Sequence, residues 1–102
     1  MAQLQAAYGT TQREVDLWQQ ILAEFQNSMP AATFQVNVAD TVLLSLQEER
    51  ALIGLPNKQA RDWVQNRLTS KIQRTLASIL GGRKITVTFV DLAVDRAAIV
   101  TN

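Results

Sequence analysis

The sequence predicts an α+β domain in the order helix, helix, strand, strand, helix, strand, with three helices packed on a three-stranded sheet. Three observations carry that expectation. Two early stretches repeat apolar side chains at spacings of three and four, as amphipathic helices do. At Leu55-Pro56-Asn57 a short apolar strand gives way at once to a long helical pattern that ends near Gly81-Gly82. Beyond the glycines, Ile85, Val87 and Phe89 alternate with Thr86 and Thr88, the period of a half-buried strand. Helices and strands of this kind bury their apolar faces by stacking in layers.

In chain order, Met1 to Thr10 is rich in Gln and Ala, lacks periodicity and reads as a mobile arm. Thr11-Gln12-Arg13-Glu14 matches a capping box, in which the first and fourth residues each satisfy a free N–H at a helix start. Trp18, Ile21, Leu22 and Phe25 form the stripe of the helix that follows, with Trp18 near its centre and Leu17 on its flank. Pro30 suits the first turn of a second, short helix whose buried side is Phe34 and Val38.

Thr41 to Leu46 alternates, which places Val42, Leu44 and Leu46 on one face of a strand. Gln47-Glu48-Glu49-Arg50 is a polar hairpin loop without the Asn-Gly turn signal, and Ala51 to Leu55 is the returning strand. Proline disfavours helix in the residue before it, so this strand stops at Leu55, and Asn57 is a good N-cap for the long helix. That helix carries apolar residues at 60, 64, 68, 72, 76 and 80, with Trp63 and Ile79 added. A spacing of four against a repeat of 3.6 makes the stripe walk around the helix. Its first half should meet the sheet and its second half another helix. The domain is expected over residues 11–90, with 91–102 as a C-terminal tail.

Composition narrows the function. With 102 residues, 47% apolar and 19% charged, the chain is one domain with one core. Cysteine and histidine are both absent, which removes thiolate metal sites, disulfides, the commonest general base and the commonest metal ligand. No phosphate-binding loop, dinucleotide fingerprint or nucleophile elbow occurs. Glu48-Glu49, the one adjacent pair of carboxylates, lies on a predicted turn. No enzyme and no cofactor are expected. Neither a membrane-length apolar run nor a signal peptide is present, so the expected setting is the cytoplasm.

A net charge of +1 conceals an uneven distribution. Residues 58–84 hold seven basic residues against Asp62 alone, while the rest holds three against eight. Arg67, Lys71 and Arg74 recur at helical spacing with Trp63 one turn earlier, a candidate face for nucleic acid. The simpler reading is a solvated helix face balanced by acidic neighbours.

Leu17-Trp18-Gln19-Gln20-Ile21-Leu22, Pro30 with Phe34, Leu55-Pro56-Asn57, Asp62-Trp63-Val64, Ile72 and Ile85-Thr86-Val87-Thr88-Phe89 come in a distinctive order. In that order they resemble the N-terminal domain of the bacterial replication initiator DnaA, over roughly residues 15–90. The resemblance implies a KH-like fold and a non-enzymatic interaction module that self-associates and recruits the replicative helicase and replication regulators. It places self-association on Leu17, Trp18 and Ile21 of the first helix, giving a weak homodimer or pairing with a DnaA-type initiator. It places partner binding around Thr33, Asn57 and Gln59, and implies a weak affinity for single-stranded DNA, here at Arg67, Lys71 and Arg74.

The chain departs from the family pattern at several positions. A Trp-Ile pair usual after the helix-two Phe is Asn37-Val38 here, and an acidic residue before that Phe is Thr33. An aromatic two places past the Asn is Gln59. Linker, ATPase and origin-reading regions of the initiator lie outside these residues, which fits an excised domain or a stand-alone relative. The competing readings are a KH-like nucleic-acid binder, which would lack the Gly-x-x-Gly loop, and a plain dimerisation domain.

Overall fold

The computed structural model describes residues 9–93. The arm expected over residues 1–10 and the tail over 91–102 therefore lie mostly outside the described residues. Six elements follow in order: α1 (Gln12–Ser28), α2 (Ala31–Asn37), β1 (Val42–Gln47), β2 (Arg50–Leu55), α3 (Lys58–Ile79) and β3 (Thr86–Asp91). This is the α+β order that the sequence predicts. The sheet order is β1-β2-β3, with β1 antiparallel and β3 parallel to β2. Parallel strands need a crossover, and α3 supplies it.

The local signals act where the sequence places them. At the start of α1, the Glu14 carboxylate accepts from the Thr11 amide at 3.1 Å and from the Thr11 hydroxyl. Pro30 is the exception: it sits at the N-cap of α2, just ahead of the first turn expected for it. The Asn57 side chain caps α3 by accepting from the Ala60 amide at 2.8 Å. Gly81 and Gly82 both take positive φ, 82° and 88°, and the Gly82 amide returns to the Ala77 carbonyl at 2.7 Å. Such a left-handed exit closes off the helix carbonyls at little steric cost for glycine.

One core lies between the helices and one sheet face. Ile21 and Phe25 of α1, Phe34 of α2, Val64, Ile72 and Leu76 of α3, and Ile53 and Leu55 of β2 belong to it. The α3 stripe is buried at Ala60, Val64, Leu68, Ile72 and Leu76, whereas Ile79 is exposed and Trp63 half-buried. Ile79 therefore departs from its expected place in the stripe. Leu80, the next residue of the four-residue repeat, still packs against the core, and Ile79 beside it turns outward.

The β1 faces also differ from expectation. The register shifts between Leu43 and Ser45, which makes Leu44 an extra residue in the ladder. A bulge resets the period of two. Leu43 and Leu46 consequently point into the main core, while Val42 and Leu44 turn to the opposite face. There Leu44 packs with Leu92, flanked by Leu52 and Val90. Gly54 makes room for this second cluster. A Cβ at Gly54 would lie 2.9 Å from Leu92 Cδ2 and 3.0 Å from Leu44 Cδ1.

Glu14 is buried at the start of α1. Burial pushes its carboxyl up, but bonds from the Thr11 hydroxyl and from the Glu14, Thr11 and Leu46 backbones outweigh burial and hold it below the ordinary carboxylate range.

Candidate functional site

A groove of about 470 Å³ opens beside the first helix. Val15, Trp18, Gln19 and Leu22 form its α1 wall. The α2–β1 turn contributes Ala39, Asp40 and Thr41, the start of β1 contributes Val42 and Leu43, and Pro56 closes one end. Three separate pieces of chain therefore converge on it.

Trp18 anchors the groove and the fold together. Its ring is 4% exposed, and its Nε1 donates to both the Thr41 carbonyl and the Thr41 hydroxyl at 3.1 Å. The Thr41 hydroxyl donates in turn to the Val38 carbonyl at 2.7 Å. A buried indole N–H needs such a partner, and this network holds the turn against α1. The polar groups at the base are thus paired within the protein. Val15 and Leu22 remain half-buried, and Asp40 is exposed. The groove offers apolar surface with a carboxylate available to a cationic or N–H-bearing group.

The residues expected to mediate self-association are placed differently. Leu17, Trp18 and Ile21 are 8%, 4% and 0% exposed. The central stripe of an amphipathic helix faces the core, so these side chains hold α1 in place and only Trp18 reaches the groove lining. Of the partner-binding candidates, Thr33 is half-buried and its carbonyl accepts from Asn37 Nδ2 at 3.3 Å. Asn57 is occupied as the cap of α3, and Gln59 is exposed on the first turn. None of the three lines the groove, although Pro56 next to Asn57 does.

The three cations of α3 have unequal freedom. The Arg67 guanidinium lies 5.5 Å from the centre of the Trp63 ring. Lys71 Nζ lies 5.1 Å from the Phe25 ring centre and donates to Ser28 Oγ at 2.8 Å. Arg74 is exposed and borders a shallow hollow shared with Glu24 and Ile79. Among the described residues no group of three or more His, Cys, Asp or Glu could hold a metal ion. Nor is any described helix long and apolar enough to cross a membrane.

Sequence reasoning missed Val15, Gln19, Leu22, Asp40, Thr41 and Pro56 as one site. The available signal was Trp18 itself, because a stripe-centre indole requires an acceptor from another element. No sequence pattern says which element supplies it.

The family model for the DnaA N-terminal domain matches residues 15–78, from the groove wall on α1 to the last turn of α3. The chain is also similar to the chromosomal replication initiator protein DnaA of Thermomicrobium roseum, with 36% identity over 77 residues. That similarity covers 76% of this chain but 16% of the relative. Matched residues span the α1 wall of the groove, its α2–β1 turn and the β2–α3 junction, and on that extent the chain belongs to the DnaA N-terminal domain family.

Proposed function

We propose that this chain is an interaction module of replication initiation that acts in the cytoplasm by binding and not by catalysis, and that the groove beside Trp18 receives an apolar segment of a partner protein. The observation that carries this reading is the groove's chemistry. Its base has paired polar groups, its walls keep Val15 and Leu22 half-open, and Asp40 stands exposed at its border. Pockets of this kind concentrate interface energy in a few anchoring contacts. Family membership supports a role in initiation, and the replicative helicase and replication regulators are the first partners to test.

The experiment is a titration of the labelled chain with the host's replicative helicase, read by amide shifts. Shifts should concentrate at Gln19, Leu22, Asp40 and Thr41. Asp40→Lys and Leu22→Arg should each weaken binding by about tenfold or more. Binding that leaves these amides unmoved, and is insensitive to both changes, would place the partner elsewhere. The family resemblance implies an acidic residue at the position of Thr33 and an aromatic one at that of Gln59. Thr33→Glu with Gln59→Phe should therefore strengthen binding if the partner also reaches α2 and the start of α3.

A second reading, weak binding of single-stranded DNA, is favoured by one observation. Arg67, Lys71 and Arg74 share one flank of α3. With so few cations such binding would be electrostatic and would fade as salt rises.

A further inference from the structure

We propose that the occupant of the groove beside Trp18 is a basic amphipathic helix of a partner protein. It lies along α1 with its apolar stripe on Val15, Trp18 and Leu22 and its cations beside Asp40 and Asp16. The inference rests on the groove being a docking site, and it adds the form and the charge of what docks there.

The form follows from α1, which carries two stripes. Leu17, Trp18, Ile21 and Phe25 are buried in the core. Val15, Trp18, Gln19 and Leu22 make the second stripe, at spacings of three and four, and it lines the groove. That is the spacing of a helix–helix seam, in which the side chains of one helix form the ridge that another packs against. Val15 and Leu22 stand one heptad apart and are half-buried, so two turns of this seam stay open. An added strand fits the opposite wall less well. The Thr41 carbonyl already accepts from Trp18 Nε1, and the Leu44 carbonyl from the Thr10 hydroxyl. Two carbonyls along this segment are therefore in use, and what the wall offers is the half-buried apolar surface of Ala39 and Val42.

The charge follows from where the ionised groups fall. Residues 11–49 hold Arg13 as their one cation, against Glu14, Asp16, Glu24, Asp40, Glu48 and Glu49. At about 100° per residue, Asp16 flanks Val15 on the outer side of the seam, whereas Arg13 and Glu24 lie about 160° and 180° round from Val15 and face away. Asp16 and Asp40 are both exposed, so acid stands on either side of the seam. Asp16 Oδ1 accepts only from an uncharged donor, Gln12 Nε2, at 2.8 Å. Among the described residues the one ion pair is Arg61–Asp62 at 3.4 Å, so no described cation neutralises either carboxylate.

The cations of the long helix are placed elsewhere. Lys71 meets Ser28 at the other end of α1, and Arg67 lies over Trp63. The flank of α3 that meets β3, where Gln73 Nε2 donates to the Ile85 carbonyl at 3.3 Å, continues uncharged through Asn66, Thr69 and Ala77. Lys58, exposed two residues past Pro56, is the cation closest in sequence to the lining, so the occupant's basic residues belong away from the Pro56 end. Complementary charge of this kind fixes register and speeds encounter, while apolar contact supplies the anchor.

The probe is a synthetic helix longer than about 15 residues, the length at which an isolated helix begins to hold in water, with a Leu stripe at helical spacing and Lys on both flanks. A twin carries Glu for every Lys, and a scrambled Lys peptide keeps the composition without the stripe. Each is titrated into the labelled full chain and read by amide shifts at Gln19, Leu22, Asp40 and Thr41. The Lys helix should bind there about tenfold more tightly than its Glu twin, a preference that shrinks as salt rises. Asp40→Lys should reverse the preference. Glu24→Lys makes the same change in net charge on the face turned away and should leave it unaltered. Both residues are exposed, and the Trp18 indole N–H signal checks that each variant keeps its fold. Equal binding of the twins, a scrambled peptide as good as the striped one, or a Glu24→Lys effect as large as that of Asp40→Lys would each overturn the proposal. So would groove amides that move when the chain alone is concentrated and move no further with peptide, which would assign the groove to a second copy. A helicase that shifts these amides while the Lys helix is not preferred removes the basic helix and leaves the docking site. If neither the helicase nor any peptide shifts them, docking at the groove fails as well.

Discussion

Glu14 illustrates how much one side chain can be asked to do. It is 6% exposed and closes the capping box of α1, accepting from the Thr11 amide and hydroxyl. Its carboxyl is held below the ordinary range by those bonds, against the upward push of burial. A lowered folded-state value means that the ionised form stabilises the fold fully above the unfolded value. That contribution disappears as the pH falls through the folded value. Glu14→Gln should therefore cost about 1–2 kcal/mol at neutral pH and flatten the acid limb of the stability curve. Urea denaturation from neutral to acidic pH would measure both, and an acid limb identical to wild type would assign the sensitivity to another carboxylate. Trp18 was legible in the sequence as the centre of a stripe. Its bonds to Thr41 were not, because they depend on where a later turn comes to rest.

At the scale of elements, the helices were readable because each carries its own punctuation: Thr11 with Glu14, Pro30, Asn57 and the Gly81-Gly82 pair. Those signals are local and need no knowledge of the sheet. The strands were legible in position but not wholly in facing. A single extra residue at Leu44 sends Val42 and Leu44 to the outer face, and nothing in a run of apolar residues marks which one is extra. Leu92 lies beyond the expected end of the domain, yet it is 0% exposed and seated against Leu44 over Gly54. Removing a buried leucine side chain typically costs about 2–5 kcal/mol. Leu92→Ala should fall in that range, and Gly54→Val should also destabilise by crowding the same contact. Thermal melts of the two variants test this, and a Leu92→Ala melt unchanged from wild type would mean the second cluster contributes little.

Across the whole molecule, the uneven charge seen in the sequence resolves into two flanks of α3, one basic and turned toward α1, the other uncharged over β3. The basic flank is not three equivalent cations. Lys71 is tied to Phe25 and Ser28, and Arg67 lies over Trp63, so both take part in packing as well as in surface charge. Arg74 is exposed and has neither tie. If single-stranded DNA binds here, Arg74→Glu should weaken it with little change in stability, while Lys71→Glu should lose both binding and stability. Cation–aromatic contacts contribute about 0.5–2 kcal/mol, so the Lys71→Glu loss should show in a melt. Raising the salt should erase the difference in binding, because counterion release dominates such contacts, but should leave most of the difference in stability. DNA titrations at low and high salt, run beside melts of both variants, separate the two effects. Equal loss of DNA binding with no loss of stability in either variant would show that Lys71 is as free as Arg74 and that its contacts to α1 do not hold in solution.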